Sequence, residues 1–332
     1  MDINSLLTGL AGVFYGAAPI MFAVLGETIT ERAGVVNLSM NGTILLSAMG
    51  SFAVAVVTGN VWFGFLAGAL IGALVALVVA FSSITLRQSQ VAVGFVLALL
   101  CRDLSYFFGD AFISKAGPRL NVVPVPLLSQ IPYLGTLLFN QDLMTYFSII
   151  LIGVVWFWMF RTRPGLMLRG IGERPAAAYV RGANVKRLRY LYTLAGGAIA
   201  GLAGPTFSLS VKAGWAGPLS GLDGYGWIAL AITIFGGWNP LRAAFGTYLF
   251  AFLQWLSLVL QASLPSIPTQ VLQVAPFPLM ILTLLLVNIG DAEWVQRWLA
   301  AMPARSRRSA AKLLRALRAS PPASLGIPFE PD

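Results

Sequence analysis

Long uncharged stretches recur along nearly the whole chain, and they constrain its fold more than any other feature. Nine such runs lie near residues 5–26, 37–58, 61–85, 90–108, 143–160, 190–210, 224–238, 243–262 and 272–289. About 20 apolar residues in a helix cross the hydrocarbon core of a bilayer. Lipid also requires each spanning segment to satisfy its own backbone hydrogen bonds. The sequence therefore predicts an all-α, polytopic membrane protein with about nine transmembrane helices.

The composition excludes most other protein classes. Only 10% of the 332 residues are charged, against about 25% in an ordinary soluble domain. Among the nine runs, only the fourth contains charges, Arg102 and Asp103. The chain has no histidine and one cysteine, Cys101, so a zinc site or an intrachain disulfide has almost no ligands. No nucleophile and base can be paired, and we expect a non-enzyme without a metal or cofactor of its own.

Basic residues are unevenly distributed between the two sides of the predicted bundle. With nine crossings, one set of alternate loops and the tail hold 18 of the 22 Lys and Arg residues, and the other loops hold 3. Lys and Arg are retained on the cytoplasmic side. This distribution predicts the N-terminus outside and the C-terminus inside. It also means that the net charge of +10 flanks the membrane, so we expect no nucleic-acid partner.

The end of the chain differs in composition from the rest. Residues 1–290 contain all nine runs and form the predicted transmembrane domain, whereas residues 291–332 form a basic cytoplasmic tail. Within the tail, residues 305–318 combine Arg with three leucines. Two interpretations stay open: a short amphipathic helix on anionic lipid, or a partly disordered tail in solvent.

Glycines recur at helical spacing in the third and sixth runs. Residues four positions apart share one face of a helix, and small residues there let another backbone approach closely. The glycines are Gly64, Gly68 and Gly72 in the third run and Gly197 and Gly201 in the sixth. We predict that they are helix-packing positions.

Polar side chains open the second run, after a helix that ends in charges. Asn37, Ser39, Asn41 and Thr43 would form two i, i+4 pairs, Asn37 with Asn41 and Ser39 with Thr43. Polar groups inside a membrane need partners. Helix capping and interhelical hydrogen bonds would supply them, and so would a water-filled path. The second interpretation makes these four residues the lining of a translocation pathway.

The long loop 161–189 contains eight of the basic residues and a short helical pattern. Its centre reads GERPAAAYVRGAN, with Pro175 suited to a first helical turn and Gly182 to a C-terminal stop. This predicts a cytoplasmic helix of about two turns over residues 174–182. A solvated, positively charged connection is the alternative.

The seventh run, residues 224–238, is unusually short. Fifteen residues make about 22 Å of helix, which is less than the roughly 30 Å of a bilayer core. The segment is therefore either a tilted helix in a thin region or a broken helix.

These segments resemble the permease subunits of ATP-binding-cassette importers, in the group that moves ribose, branched-chain amino acids and nucleosides. The likeness extends to about residue 290. It is greatest for the simple-sugar and nucleoside branch, whose permeases carry the stretch G-E-x-x-x-E-R-x-G-V-x-N-L. The matching residues are Gly26, Glu27, Glu31, Arg32, Gly34, Val35, Asn37 and Leu38. The family element G-x-G-x-x-x-I-A-x-A, followed by G-x-x-x-P, is resembled by Gly224, Gly226, Ala229, Ala231, Gly236 and Pro240, with Ile228 beside them and two fewer residues after the second glycine.

The cytoplasmic segment resembles the family's coupling motif E-A-A-x-x-x-G. The resemblance implies contact with the ATPase through Glu173, Arg174, Ala176, Ala177, Ala178 and Gly182. This chain departs from the motif at Ala176, where relatives usually have Glu. It departs again at Asn41, where many relatives have an acidic residue, so no carboxylate at that position can contact a solute.

The resemblance implies an importer subunit for a nucleoside or simple sugar in a bacterial-type plasma (inner) membrane. No G-x-x-x-x-G-K-[ST] phosphate loop occurs in the chain, so ATP and Mg would bind to partner ATPase subunits. The other implied partners are a second, unlike permease and an extracytoplasmic solute-binding protein.

An ion-coupled secondary transporter is the alternative, because broken polar helices also occur in that class. Such a transporter usually needs a buried ionisable site. Here Arg102 and Asp103 are the only charges well within a run, and adjacent side chains point about 100° apart on a helix, so we do not expect them to pair.

Overall fold

The computed structural model describes residues 3–263 and 320–330, together with the isolated positions 271, 278, 282, 295 and 297. The ninth run and the predicted helix over residues 305–318 lie outside this part of the chain, apart from those isolated positions. The predictions for them are therefore untested.

The described residues form helices joined by loops. The α-helices are α1 (Ile3–Arg32), α2 (Met40–Thr58), α3 (Val61–Ala80), α4 (Gln90–Gly109), α5 (Leu134–Leu138), α6 (Leu143–Arg161), α7 (Arg163–Glu173), α8 (Pro175–Val180), α9 (Val185–Gly201), α10 (Ala203–Thr206), α11 (Tyr225–Phe235) and α12 (Pro240–Ser263). Wider π turns extend α3 over Phe81–Thr85 and follow α10 over Phe207–Val211. Within the described ranges, β pairing is limited to an isolated bridge between Val122 and Asp142.

Seven helical segments are long and apolar enough to cross a membrane. They are Leu6–Arg32, Met40–Thr58, Val61–Thr85, Gln90–Phe112, Leu143–Arg161, Val185–Val211 and Pro240–Gln261. The seventh run folds as α11, whose 11 residues extend about 16 Å. The all-helical, membrane-type fold is confirmed. The total of nine crossings and the orientation remain predictions.

Helix boundaries follow from polar residues at the edges of the apolar runs. Asn60 begins α3 by accepting a hydrogen bond from the amide of Trp62 at 2.9 Å. Asp142 begins α6 in the same way, with the amide of Thr145 at 2.7 Å. Such side chains replace helical partners that the first amides of a helix lack. In the second run, the helix begins at Met40, three residues after the uncharged stretch begins.

The centre of the bundle is formed by α1, α2 and α9. Each has more than 60% of its most apolar stretch buried, against 22% for α4. On α3, Leu66, Leu70 and Leu74 are exposed at a spacing of four residues, which places them on one outward face. Such a face suits lipid or another membrane subunit.

The two ends of the bundle carry different loops. At one end, here called the coupling end, the end of α1 meets α7, the start of α9 and the turn after α11. The contacts include Arg32 with Gly237 and Glu173. The opposite end contains the loop from residue 110 to 142, where the amide of Leu120 donates to the carbonyl of Leu209 at 2.7 Å.

Candidate translocation and coupling sites

The start of α2 meets the start of α11 through one buried amide side chain. Asn41 is only 4% exposed, and its Oδ1 accepts hydrogen bonds from the amides of Gly224 at 2.9 Å and Gly226 at 3.3 Å. These are first-turn amides of α11, which lack partners within the helix. A Cβ on Gly226 would lie 2.2 Å from the backbone of Asn41. The glycine therefore allows the two helix starts to touch.

This contact lies near the middle of the bundle. A Cβ on Gly42 would be 2.3 Å from the carbonyl oxygen of Ala98, and Ala98 is midway along α4. The short helix α11 thus begins beside the middle of α4 rather than beside one of its ends. Of the two interpretations of the seventh run, the structure supports a broken helix, the geometry that lines solute sites in other transporters.

A carboxylate that the sequence analysis did not single out adjoins Asn41. The Nδ2 of Asn41 donates to Oδ1 of Asp223 at 2.7 Å, and the hydroxyl of Tyr106 donates to Oδ2 at 3.3 Å. The side chain of Asp223 is exposed. A carboxylate from a residue 182 positions away therefore lies beside Asn41. In the sequence, Asp223 could be recognised only as a single acidic residue directly before the two glycines that open a short apolar run.

Charges on α4 extend this polar region. Arg102 Nε lies 3.0 Å from Asp103 Oδ1, so the expectation that these neighbours do not pair is wrong. Their side chains are long enough to bend toward each other outside the helix. Both are partly exposed, and they line the same side of α4 as Tyr106, one turn further on.

The other three residues predicted to line the pathway bond to one another and are buried. Ser39 Oγ donates to Asn37 Oδ1 at 2.5 Å and lies 3.3 Å from Thr43 Oγ1. Asn37 precedes the first turn of α2, so its expected stacking on Asn41 is wrong, whereas Ser39 and Thr43 do meet. The turn at Gly34, with a φ of +90°, leads into the non-helical approach to α2. Of the four predicted residues, Asn41 is the one that contacts the exposed carboxylate.

A buried acidic pair on α1 connects the family motif to the turn after α11. Oε1 of Glu27 accepts from the amide of Asn37 at 3.3 Å, and a carboxylate oxygen of Glu31 accepts from the indole NH of Trp238. Arg32 donates to the carbonyls of Trp238 at 3.0 Å and Gly237 at 3.1 Å. The end of α1 is thereby bonded to both the start of α2 and the end of α11.

The short helix predicted over residues 174–182 is present, and it spans fewer residues than predicted. Helix α8 has six residues, Pro175–Val180, and it follows α7 after a break at Arg174. Gly182 has a φ of +87°, and its amide donates to the carbonyl of Tyr179 at 2.8 Å. This left-handed turn favours glycine and ends the helix.

Helices α7 and α8 enclose an apolar groove with a basic rim. The groove has a volume of about 690 Å³. Its lining consists of Arg163, Leu166, Met167, Gly170, Glu173, Arg174, Ala177, Ala178 and Arg181. Ala176 is exposed outside this lining. Glu173 also pairs with Arg32 at 3.3 Å, so its carboxylate is partly engaged toward α1.

Comparison with known proteins places this architecture in a family. The model of the branched-chain amino acid transport system / permease component matches residues 3–287. The chain belongs to this permease family. A Haloferax volcanii protein, provisionally named a glucose ABC transporter permease, is 37% identical over 259 residues, covering 76% of this chain and 78% of its own.

Two further relatives cover more of the chain. A nucleoside ABC transporter permease protein of Lactococcus lactis and a guanosine ABC transporter permease protein of Bacillus subtilis are each 32% identical, over 298 and 300 residues. Each alignment covers 86% of this chain and 93% of the relative. No solved structure matches the chain. The comparisons support an ABC transporter permease and give no support to the ion-coupled alternative.

In this permease, four of the predicted packing glycines, Gly68, Gly72, Gly197 and Gly201, lie in one seam between α3 and α9, whereas Gly64 packs against α2 and the π turn after α10. A Cβ on Gly72 would be 2.2 Å from the carbonyl oxygen of Gly197, and one on Gly201 would be 2.3 Å from that of Gly68. Gly64 faces Leu209 and the carbonyl of Ser51 at 2.7 and 2.8 Å. The backbones touch along this seam, so a larger side chain at Gly72 or Gly201 would push the helices apart.

Proposed function

We propose that this permease moves a nucleoside or simple sugar into the cell, driven by ATP hydrolysis in separate ATPase subunits. The observation that carries the proposal is the bonded connection from the α7–α8 groove, through Arg32, to the helix that begins at the Asn41 site. The names of the similar permeases support the class of solute. ATP and Mg would bind to the partner ATPases.

The groups around Asn41 suit a solute rich in hydroxyls. Asp223 is exposed, so its carboxylate can accept hydrogen bonds from sugar hydroxyls. The rings of Tyr106 and Trp215 lie 6.3 Å apart and provide aromatic surface beside it. The indole NH of Trp215 is buried without a hydrogen-bond partner among the described residues. In this proposal Asn41 holds the start of α11 in place and Asp223 contacts the solute.

The α7–α8 groove suits the ATPase. Alanines in its wall permit close approach of a partner, and the Arg residues at its rim can pair with acidic groups. Leu166 in the groove lining has an exposed fraction of 63%, so apolar surface in the groove is available to a partner. Movement of the ATPase would change the relative energies of the outward and inward states through this contact.

The proposed assembly contains a second, unlike permease, two ATPase subunits and an extracytoplasmic solute-binding protein in a plasma (inner) membrane. We propose nine crossings with the N-terminus outside and the C-terminus inside. The grouping of Arg87, Arg174 and Arg189 at the coupling end supports this orientation. Labelling of Ser309→Cys in a Cys101→Ala background should occur from the inside, and preferential labelling from outside would overturn the orientation.

Uptake by cells that express the complex tests the function. Radiolabelled adenosine, uridine and glucose are supplied separately, with the ATPase subunit intact or with the lysine of its phosphate loop replaced by alanine. At least one probe should accumulate only with the intact ATPase, and an ionophore that preserves ATP should leave the initial rate unchanged. Uptake that survives ATPase inactivation and collapses with the ionophore would support ion coupling instead.

A further inference from the structure

The last described segment of the chain, residues 320–330, is packed onto the coupling end. We call it the C-terminal strap. The amide and hydroxyl of Ser324 both donate to the carbonyl of Gly172 in α7, at 2.9 and 2.6 Å. The amide of Gly326 donates to the carbonyl of Gly34 at 3.1 Å. The strap thus joins the end of α7 to the turn that follows α1.

The end of α7 is held between α1 and the strap. A Cβ on Gly172 would lie 2.1 Å from the carbonyl oxygen of Arg32, so α1 touches Gly172 directly while Ser324 bonds to its carbonyl. Glu173 bridges the same two elements, since Oε1 pairs with Arg32 at 3.3 Å and Oε2 accepts from the amide of Ala323 at 3.2 Å. The break at Arg174 and helix α8 follow directly.

A buried arginine on α9 depends on the strap for hydrogen bonds. Arg189 is 3% exposed, and its guanidinium donates to the carbonyl of Ile327 at 2.9 Å and to Ser324 Oγ at 3.1 Å. A buried charge without partners is costly. A Cβ on Gly34 would lie 2.8 Å from Arg189, so this glycine of the family motif leaves room for the arginine.

The strap also reaches α8 itself. The rings of Phe329 and Tyr179 lie 5.8 Å apart, and Glu330 pairs with Arg87 in the loop after α3. A helix of six residues is marginal alone in water, so α8 needs tertiary contacts for a fixed position. The strap supplies contacts on the side away from the α7–α8 groove, where Ala183 and Lys186 line a second cavity together with Phe329.

We propose that the C-terminal strap is an intramolecular latch that fixes α7 and α8 to α1 and α9, so that movement of α8 reaches the membrane helices. This inference rests on the proposed contact between α8 and the ATPase. Without the strap, α8 would still present the groove to the ATPase. Its displacement would then move α7 and α8 alone and would not move α1 and α9. ATP would then be hydrolysed with little solute uptake.

Two variants and one control test the latch. The first ends the chain after Ala319, and the second is Ser324→Val, which replaces the hydroxyl shared by Gly172 and Arg189 with a larger apolar side chain that cannot form these hydrogen bonds. The control is Ile327→Ala, because the Ile327 side chain is 55% exposed and its contact with Arg189 uses the backbone carbonyl. Each is purified as permease alone and as the full complex.

The first measurement is amide hydrogen exchange over residues 170–182 in the permease alone. We expect exchange to rise at least tenfold in the truncated protein, by less in Ser324→Val, and not in Ile327→Ala. Unchanged exchange in the first two variants would overturn the latch, whatever the solute or energy source. If the truncated protein fails to insert, Ser324→Val decides.

The second measurement is uptake per ATP hydrolysed by the complex in proteoliposomes, with the probe that the wild type transports. We expect about a tenfold decrease in the truncated complex with ATPase association retained, and a change of less than twofold in Ile327→Ala. Increased exchange with normal uptake per ATP would overturn the latch as a transmitting element. Absence of ATP-dependent uptake in the wild type would instead contradict the proposed function, and exchange alone would then decide whether the strap holds α7 and α8.

Discussion

The coupling end and the Asn41 site are both polar regions inside an apolar bundle, and they are built differently. At the coupling end, Arg32 bonds to three groups on two elements, and backbone carbonyls accept many of the bonds. At the Asn41 site, one amide side chain holds the start of α11, and the adjoining Asp223 remains exposed. The first arrangement resists movement, whereas the second leaves hydrogen-bonding capacity for a solute. This contrast separates a transmitting region from a binding region within one chain.

Arg32→Met should have the largest effect, because it removes the side chain that joins α1 to α7 and to the turn after α11. The carbonyls of Gly237 and Trp238 would lose their guanidinium partner, and each buried polar group left unpaired costs about 1–3 kcal/mol. We expect a loss of about 3 kcal/mol or more in stability, with uptake and ATPase association lost together. Thermal unfolding in detergent measures this, with the exposed Arg187→Met as the control. Equal melting temperatures for the two variants would contradict the assignment.

Ala177→Asp should disrupt the proposed ATPase-binding surface at the coupling end while leaving the fold intact. A carboxylate in the apolar groove would lose hydration on docking and gain no apolar contact, so association with the ATPase should weaken by about 2–5 kcal/mol. The matched control is Ala176→Glu, because Ala176 is exposed outside the groove lining. Pull-down of the ATPase and uptake should both fail for the first variant and persist for the second.

Exchanging the amide at position 41 with the carboxylate at position 223 tests the proposed binding region. Asn41→Asp places two carboxylates together, and Asp223→Asn removes the exposed acidic group, so each should lower uptake about tenfold or more with normal ATPase association. The double variant restores one amide and one carboxylate, and we expect uptake to recover severalfold. Double-variant uptake no better than either single variant would show that the pair does not act as a unit.

Gly182→Ala should have the smallest effect of the four. The position has open space around it but a left-handed backbone, which costs an alanine about 1–2 kcal/mol. We expect ATPase affinity to decrease by less than about tenfold, with full insertion in the membrane. Gly12→Ala, also in open space and without the left-handed backbone, serves as the control, and an equal effect of both would exclude the turn as the cause.

The regular parts of this fold were predictable because lipid leaves few choices. Uncharged runs gave eight of the helices in the described residues, and the glycine spacing on α3 and α9 coincides with the place where their backbones touch. Contacts between distant segments were not predictable from local patterns. Asp223 lies in a loop, and its meeting with Asn41 depends on where α11 begins. The strap lacks any apolar run, and its contacts arise from backbone groups that a sequence does not reveal.

The central claim is that the α7–α8 surface meets the ATPase and that the end of the bundle containing residues 110–142 faces the other way. A photo-crosslinking amino acid in place of Leu166 in the groove lining, with a matched position at Leu134, tests it most directly, because both leucines are exposed and lie at opposite ends of the bundle. Irradiation of membranes containing the assembled complex should join the ATPase to position 166 and not to position 134. An ATPase adduct at position 134, or none at position 166, would contradict the account.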